Sequence, residues 1–182
     1  YIHSELKKLI KRKIKFNGNL NQLHKFVKYQ NLNELRIFLY EELNKKSKFK
    51  KSYYELSKPF LNNIVGDELA MQKKINLSIQ FPNDDTSLLP IHSDTWNGNS
   101  PFEVVVWLPM ENVSNSKSMF ILPYNSKKNR LLNKPGIFKS NNDIFLKLRK
   151  NLKFLKVNKT ELLIFSQNCP HGNIVNKSNE TR

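Results

Sequence analysis

The stretch Ile91-His92-Ser93-Asp94-Thr95-Trp96 places a histidine and an aspartate two positions apart at the end of a predicted strand. Residues i and i+2 of a strand point to the same side, about 7 Å apart along the backbone, so His92 and Asp94 can reach one ion. Taken alone, the pair is better explained as a half-exposed strand end with a hydrogen bond between the two side chains.

A second histidine, His171, follows far downstream in Gln167-Asn168-Cys169-Pro170-His171-Gly172-Asn173. Two imidazoles and one carboxylate are the ligands that hold mononuclear Fe(II) on one face of an octahedron and leave the other positions open. His92, Asp94 and His171 are therefore the predicted metal ligands and catalytic residues.

Alternating apolar and polar residues predict a strand at residues 75–81, just upstream of the first motif. Its polar face carries Asn76 and Gln80 and turns either to solvent or to the interior of a barrel. Further strands are predicted at residues 102–108, 118–123, 154–157 and 161–165, with a short helix near 143–149 inside a basic segment, 126–153, that reads as an insertion or lid.

The first 65 residues repeat their apolar positions with a helical period instead. The predicted helices span residues 4–16, with Ser4 as the N-cap, 20–29, 32–43 and 51–63, the last interrupted or bent before Pro59. Helices followed by strands predict an α+β protein, a double-stranded β-helix (a cupin-like jelly roll) with an N-terminal helical support layer. We expect residues 1–65 to form the support and 66–182 the jelly-roll catalytic core, in a single compact domain that is incomplete at its C-terminus.

The chain is strongly basic, with 31 Lys and Arg against 15 Asp and Glu and a formal net charge of +16. Nucleic acid, anionic lipid and phosphorylated substrates must therefore be considered as partners. The lysines are spread along the whole chain among many asparagines, as an AT-rich genome would give, and they form no single block. Because a basic stripe is the usual footprint of nucleic-acid binding, that function is not favoured.

The remaining chemistry-bearing residues carry less information. Cys169 is the only cysteine, which excludes an intramolecular disulfide and allows a reducing compartment. A catalytic pair of Cys169 with His171 lacks an orienting partner, so packing is the better interpretation. His3 and His24 have no ligand at metal spacing and are expected on the surface or in packing. No apolar run is long enough to span a bilayer and no secretion signal is present, so the expected location is cytoplasmic.

The order His92-x-Asp94, a long gap, His171 and then Arg182 resembles the iron(II)/2-oxoglutarate oxygenases, and within them the phytanoyl-CoA-dioxygenase-like branch. The segments 91–109 and 171–182 are most similar to a subfamily named after a streptomycin-biosynthesis protein, which occurs in antibiotic and surface-polysaccharide gene clusters. The resemblance covers about residues 73–182. The wider family often has Asn-Gly before one central strand and Pro-Gly-Ser-His after it, where this chain has Ser116-Lys117 and Pro123-Tyr124-Asn125-Ser126, so the wider family's substrate contacts are not transferred.

The resemblance implies Fe(II), 2-oxoglutarate as cosubstrate, and O2. It implies oxidative decarboxylation to succinate and CO2 with hydroxylation of a sugar, sugar nucleotide or related small metabolite in polysaccharide or antibiotic biosynthesis. Arg182 matches the residue that grips the far carboxylate of 2-oxoglutarate, although it could also be a surface arginine. If residues 75–81 line the barrel, Gln80 and Asn76 are candidates to contact the cosubstrate.

Other residues near the first motif bear on the substrate and the reaction type. Trp96, Asn97 and Asn99 lie on the loop past the ligands, where this fold places substrate, although Asn97-Gly98 could equally be a simple turn. Asp94 argues against halogenation, because related halogenases usually replace this aspartate with a small residue.

Two other functions stay open. A cupin-like metal-dependent isomerase or epimerase would be expected to have a third histidine, or a glutamate in place of the arginine. A non-catalytic basic module that binds nucleic acid or an acidic polymer would show a steep salt dependence of binding and no metal requirement.

Overall fold

The computed structural model describes residues 1–125, 128–132 and 136–182. The chain divides into two compact units: residues 1–81 with Thr181, and residues 82–180 with Arg182. Residues 66–81, which we expected in the catalytic core, make their contacts in the first unit.

Three α-helices make up most of the first unit: α1 (Ile2–Lys13), α2 (Leu32–Asn44) and α3 (Ser47–Val65). The helices predicted at residues 4–16 and 32–43 are thereby confirmed. Ser4 as an N-cap is wrong, because α1 already begins at Ile2 and Ser4 lies inside its first turn. The stretch 20–29 is not one α-helix but contains two short 3-10 helices.

The helices of the first unit pack through one apolar stripe each, as their period predicts. The buried apolar members of α1 and α2 are Ile2, Leu6, Leu9, Ile10, Leu32, Leu35, Leu39 and Leu43. Helix α3 is continuous through Pro59, so the helix predicted at residues 51–63 is confirmed without an interruption, and the bend stays a prediction. Pro59 removes one main-chain donor, but the buried Phe49 and Leu61 hold the helix on both sides of it.

Residues 75–81 form no strand, so that prediction is wrong, although the alternation behind it is present. Ile75 and Ile79 are buried, as expected of an apolar face. Their main-chain groups bond side chains of α2 instead of a neighbouring strand. Asn44 accepts from Ile75 N at 2.7 Å and donates to Ile75 O at 2.9 Å, and Arg36 Nε donates to Ile79 O at 2.9 Å. Two helix side chains thus satisfy the backbone that a sheet would have satisfied.

The second unit contains two small antiparallel sheets. The strands are β1 (Val104–Trp107), β2 (Met119–Ile121), β3 (Lys153–Phe154), β4 (Leu163–Ser166) and β5 (His171–Asn173). Strand β1 pairs with β4, and β2 lies between β3 and β5. Strands β1, β2 and β4 confirm the strands predicted at residues 102–108, 118–123 and 161–165 at shorter lengths, whereas β3 shares only Phe154 with the strand predicted at 154–157. The mixture of helices and antiparallel sheets confirms the α+β class. The jelly roll stays a prediction.

Helices α4 (Asn129–Leu132) and α5 (Asn141–Leu148) lie between β2 and β3. Helix α5 confirms the helix predicted near residues 143–149, and its N-cap Ser140 accepts a hydrogen bond from Asp143 N. Within the basic segment 126–153, residues 126–127 and 133–135 lie outside the described residues. Over the described ranges, no helix has the length and apolar character needed to cross a membrane.

Helix α5 packs on one face of the three-stranded sheet. The buried residues of this core are Ile91, Phe120, Leu122, Ile144, Leu148 and Leu152. The ring of Phe120 lies 5.3 Å from that of Phe145 on α5. In the register of β2 and β5, Phe120 is opposite Gly172. Because side chains alternate along a strand, the neighbouring His171 points to the other face of the sheet.

Candidate metal site

His92 and His171 are direct neighbours across an antiparallel backbone pair. His92 N donates to His171 O at 2.9 Å, and His171 N donates to His92 O at 2.8 Å. Residues opposed in this way project their side chains from the same face of the sheet. The two imidazole centroids are accordingly 4.4 Å apart.

The carboxylate of Asp94 lies against both imidazoles. Asp94 Oδ1 is 3.6 Å from His92 Nε2, and Oδ2 is 3.8 Å from His171 Nε2. One donor atom from each of the three residues lies within 4.8 Å of the others. Two ligands about 2.1 Å from one ion are separated by roughly 3 to 4 Å, so these separations are close to those of a metal site. The three predicted ligands therefore converge and could hold a metal ion.

Each histidine is fixed in the tautomer that a metal ligand needs. His92 Nδ1 is 2.8 Å from Pro90 O, and His171 Nδ1 is 2.9 Å from Cys169 O. A carbonyl oxygen can only accept, so both Nδ1 atoms carry a proton, and in the neutral form of each ring the Nε2 atom presents a lone pair. Hydrogen bonds of this kind orient metal-bound histidines in general. Two lone pairs and a carboxylate thus face one point, an arrangement that a cation at that point stabilises.

The site is partly shielded from water. The side chains of His92, Asp94 and His171 are 18%, 21% and 11% exposed. Burial lowers the pKa of His171 below its usual value, and the positive charge of a protonated His92 would lower it further, while the Cys169 carbonyl and Asp94 oppose the shift. The ring of Phe165 on β4 meets His171 edge-on at 5.0 Å. Burial thus favours the neutral form of His171, which is the form that binds a metal ion.

Cys169 has the environment of a packing residue. Its Sγ lies 3.3 Å from Leu122 O, to which the thiol donates. Burial raises the pKa of the Cys169 thiol, which disfavours the thiolate that a nucleophile requires. Its carbonyl, in contrast, orients His171.

Arg182 is not a surface arginine. It is half-buried, and its Nη1 atom has no access to solvent. Burial lowers the pKa of Arg182 to about 10, and the charge of Asp84 opposes this shift. Asp84 is fully buried and accepts hydrogen bonds from Thr86 N at 2.8 Å and from Ser87 Oγ at 2.6 Å. The predicted grip of Arg182 on 2-oxoglutarate stays a prediction.

The remaining predicted site residues are described by burial and position. Gln80 is fully buried and Asn76 is exposed, and both belong to the first unit. Trp96 and Asn97 lie in a short 3-10 helix, Asp94–Asn97, directly after the ligands, and Asn99 follows it; all three are exposed. The helix ends at Gly98, whose φ of 90° makes this segment a turn as well. The cosubstrate and substrate roles of these residues stay predictions.

The two other histidines lie in the first unit. His3 is in α1, and His24 Nδ1 lies 3.0 Å from Thr181 Oγ1. The His24 main-chain N–H also donates to Thr181 Oγ1 at 3.1 Å. These contacts fit the packing role expected of His24.

The groups that hold the three ligands in place could not be predicted from the sequence. The Pro90 and Cys169 carbonyls each lie two residues before the histidine they orient. Ser93, between the first two ligands, is fully buried and donates to the main chain of Gln167. The only sequence signal for Ser93 is a small hydroxyl residue between two ligands, which is too common to be selective.

A separate cleft of about 520 Å³ lies in the second unit, away from these residues. It is lined by residues 112–117, Lys156, Asn158 and 177–180. Lys117 is buried there and forms an ion pair with Glu180.

Comparisons with models of protein families, with curated proteins and with solved structures found no match for this chain. The function has therefore to be inferred from the residues of the chain and their arrangement.

Proposed function

We propose that this chain is an Fe(II)- and 2-oxoglutarate-dependent dioxygenase that hydroxylates a small metabolite. One observation carries the proposal: His92, Asp94 and His171 converge, with both imidazole Nε2 lone pairs and the carboxylate facing one point. Two histidines and one carboxylate on one side of an ion are the ligand set of non-haem Fe(II) oxygenases, and they leave positions open for a cosubstrate and O2.

The strand order of the second unit supports a jelly roll. Segment 89–92 lies beside β5, because Asn173 N donates to Leu89 O at 2.9 Å and His92 pairs with His171. Along the chain, segment 89–92 is followed by β1 in the other sheet, β2 and β3 in the first, β4 beside β1, and β5 between β2 and segment 89–92. In a jelly roll, the chain likewise alternates between two antiparallel sheets as it passes from strand to strand.

Contacts between the two sheets support the same fold. Phe165 on β4 reaches His171 on β5, so the sheets meet beside the three ligands. In a jelly roll the ligands would then lie at the end of one sheet, with the other sheet covering them.

In this proposal, bound Fe(II) would supply the chemistry in which O2 oxidises both substrates: one oxygen atom enters succinate as 2-oxoglutarate loses CO2, and the other enters the C–H bond that is hydroxylated. The protein orients and shields the reacting groups. His92 and His171 bind through Nε2, and Asp94 contributes the negative charge. Arg182 offers a bidentate fork that matches a carboxylate, and a buried guanidinium binds a carboxylate more strongly than an exposed one does.

The substrate class is supported by the sequence motifs alone. Segments 91–109 and 171–182 resemble the subfamily found in antibiotic and polysaccharide gene clusters. We therefore propose a sugar, sugar nucleotide or related small metabolite as the substrate, with Trp96, Asn97 and Asn99 on its side of the site.

The isomerase alternative requires a different ligand set. Within the described residues, the one cluster of His, Cys, Asp and Glu side chains at metal distance contains His92, Asp94 and His171 and no fourth member. Three protein ligands leave more open positions than a four-ligand cupin site, which favours the oxygenase.

The test is an anaerobic titration of the intact chain with Fe(II) and then 2-oxoglutarate. We expect a weak visible charge-transfer band from the chelated cosubstrate. His92→Ala should abolish the band by removing a ligand, and Arg182→Ala should raise the 2-oxoglutarate concentration needed by tenfold or more. His3→Gln, which removes a histidine of the first unit, should leave the band unchanged.

Each other outcome has a clear meaning. Metal binding without a band after 2-oxoglutarate is added would contradict the oxygenase and favour the isomerase. A band of full strength in His92→Ala would show that the metal binds elsewhere. Absence of metal binding would contradict the oxygenase and favour the non-catalytic basic module.

A further inference from the structure

The three proposed ligands are held by two different parts of the second unit. His92 and His171 are fixed to each other by their paired backbone hydrogen bonds. Asp94 lies beyond this pairing, and its N–H donates to Gln167 O at 3.1 Å. Gln167 directly follows β4, which belongs to the other sheet. The position of the carboxylate relative to the imidazoles thus depends on a link to the end of β4.

Ser93 doubles this link. It is 1% exposed, and its Oγ donates to the same Gln167 carbonyl at 2.7 Å. A hydroxyl has one proton, so the Thr95 hydroxyl, 2.9 Å away, must be the donor to Ser93 Oγ. The Gln167 carbonyl therefore accepts from two consecutive residues, which fixes the direction in which the chain leaves His92.

Gln167 is itself held by Glu103, the residue before β1. The amide Nε2 of Gln167 donates to Glu103 Oε2 at 2.6 Å, and its main-chain N–H lies 3.5 Å from Glu103 O. A hydrogen bond to a carboxylate is stronger than one between neutral groups. Val104 pairs with Ser166 in the same register, so the pairing of β1 with β4 continues into this contact.

We propose that Ser93, Gln167 and Glu103 form a clasp that sets the Asp94 carboxylate at the distance from the two imidazoles that one metal ion requires. The clasp rests on the metal site of the proposed function. Its members are positioning residues. Glu103 lies outside the cluster of donor atoms, and Ser93 and Gln167 act on Asp94 through their hydrogen bonds to each other and to its main chain. Loss of a group that orients a metal ligand typically weakens metal affinity about 10- to 100-fold. For the hydroxyl of Ser93 we expect about tenfold, at the lower end of that range.

The test uses Co²⁺ as the probe ion and follows its visible absorption on the intact chain, so the readout is affinity and coordination and not turnover. Ser93→Ala should raise the Kd for Co²⁺ about tenfold and alter the band. Ser93→Thr keeps the hydroxyl and should return the Kd towards the wild-type value. The matched control is Ser166→Ala, which removes an exposed hydroxyl next to Gln167 and should leave the Kd within about twofold of the wild type.

A second pair of variants tests the outer end of the clasp. Glu103 is exposed, so Glu103→Ala should fold and should still weaken Co²⁺ binding. Glu103→Gln keeps an acceptor for Gln167 and should weaken binding less. A purely structural role would lower the melting temperature of the metal-free variants without changing the Kd measured well below that temperature.

The outcomes separate the clasp from the metal site. If wild type binds Co²⁺ and both Ser93→Ala and Glu103→Ala bind it equally well, the clasp is refuted and the site stands. If Ser93→Ala does not fold, Glu103→Ala decides. If wild type binds no Co²⁺, or His92→Ala binds it as wild type does, the metal site fails and the clasp fails with it.

Discussion

Single residues contribute to the candidate metal site in two ways, through side chains that offer ligand atoms and through main-chain groups that orient them. His92, Asp94 and His171 could be predicted from the sequence because the distal His171 motif accompanies the His92-x-Asp94 pair, in an order that resembles a known family; the pair alone would not have been sufficient. The carbonyls of Pro90 and Cys169 could not, because every residue has a carbonyl and only the folded chain selects two of them.

The thiol of Cys169 gives a prediction at this scale. Burial raises its pKa above the usual value, so at pH 7.5 the folded chain holds less thiolate than the unfolded chain. We expect iodoacetamide to alkylate the native protein more slowly than the denatured protein at pH 7.5, and the native rate to go on rising with pH beyond 9. Mass spectrometry of the single cysteine measures both rates. Equal or faster alkylation of the native chain would contradict this prediction and favour the hypothesis that Cys169 and His171 form a catalytic pair.

Secondary-structure elements were predictable where their pattern is local. The apolar period of α1 and α2 and the apolar run of β1 are properties of a few neighbouring residues. The structure of residues 75–81 could not be predicted in this way. Their alternation is typical of a strand, but their main-chain groups bond the side chains of Asn44 and Arg36 in α2, more than 30 positions away. Side chains that replace a neighbouring strand leave no local signal.

Asn44 gives the prediction for that element. It bonds both main-chain groups of Ile75 and also donates to Tyr40 O at 2.8 Å. Asn44→Ala leaves both main-chain groups of Ile75 without the side chain that bonds them, so the free energy of unfolding should fall by about 1 to 3 kcal/mol. Urea denaturation measures the change. Asn63→Ala, which removes one exposed bond to Pro59 O, is the control and should cost less than about 0.5 kcal/mol.

Gly172 gives the prediction for strand β5. A Cβ at this position would lie 2.7 Å from Leu89 O, 2.8 Å from Phe120 Cζ and 3.1 Å from Ile91 N. Gly172→Ala should therefore push segment 89–92 away from β5 and separate His92 from His171. We expect a loss of stability of about 1 to 3 kcal/mol and weaker Co²⁺ binding than wild type. Wild-type affinity in this variant would mean that the backbone pair does not position the two imidazoles.

Two features belong to the scale of the whole molecule: the net charge of +16 and the division of the chain into two units. The charge is spread over the chain and singles out no site, as the sequence already indicated. The boundary after Phe81 could not be located from the pattern, because the change from helical to alternating period comes earlier, near Gly66. Residues 67–81 have no helical pattern, but they are part of the first unit because Arg36 and Asn44 of α2 bond main-chain groups of this segment.

Metal binding should raise the stability of the molecule. A ligand that binds the folded state alone adds about 2.7 kcal/mol at a concentration of 100 times its Kd. For a chain of this size that is a rise in melting temperature of roughly 5 to 10 °C. Differential scanning calorimetry under anaerobic conditions, with and without Fe(II), measures it. His3→Gln should show the full rise and His171→Ala none; a rise that persists in His171→Ala would place the metal elsewhere.

The most direct test of the central claim is the number of Fe(II) ions bound per chain, measured by anaerobic equilibrium dialysis. The arrangement of His92, Asp94 and His171 predicts one tightly bound ion in the wild-type chain and in His3→Gln. Each of His92→Ala, Asp94→Ala and His171→Ala should lose it. A wild-type chain that retains no iron, or three variants that each retain one ion, would contradict the claim.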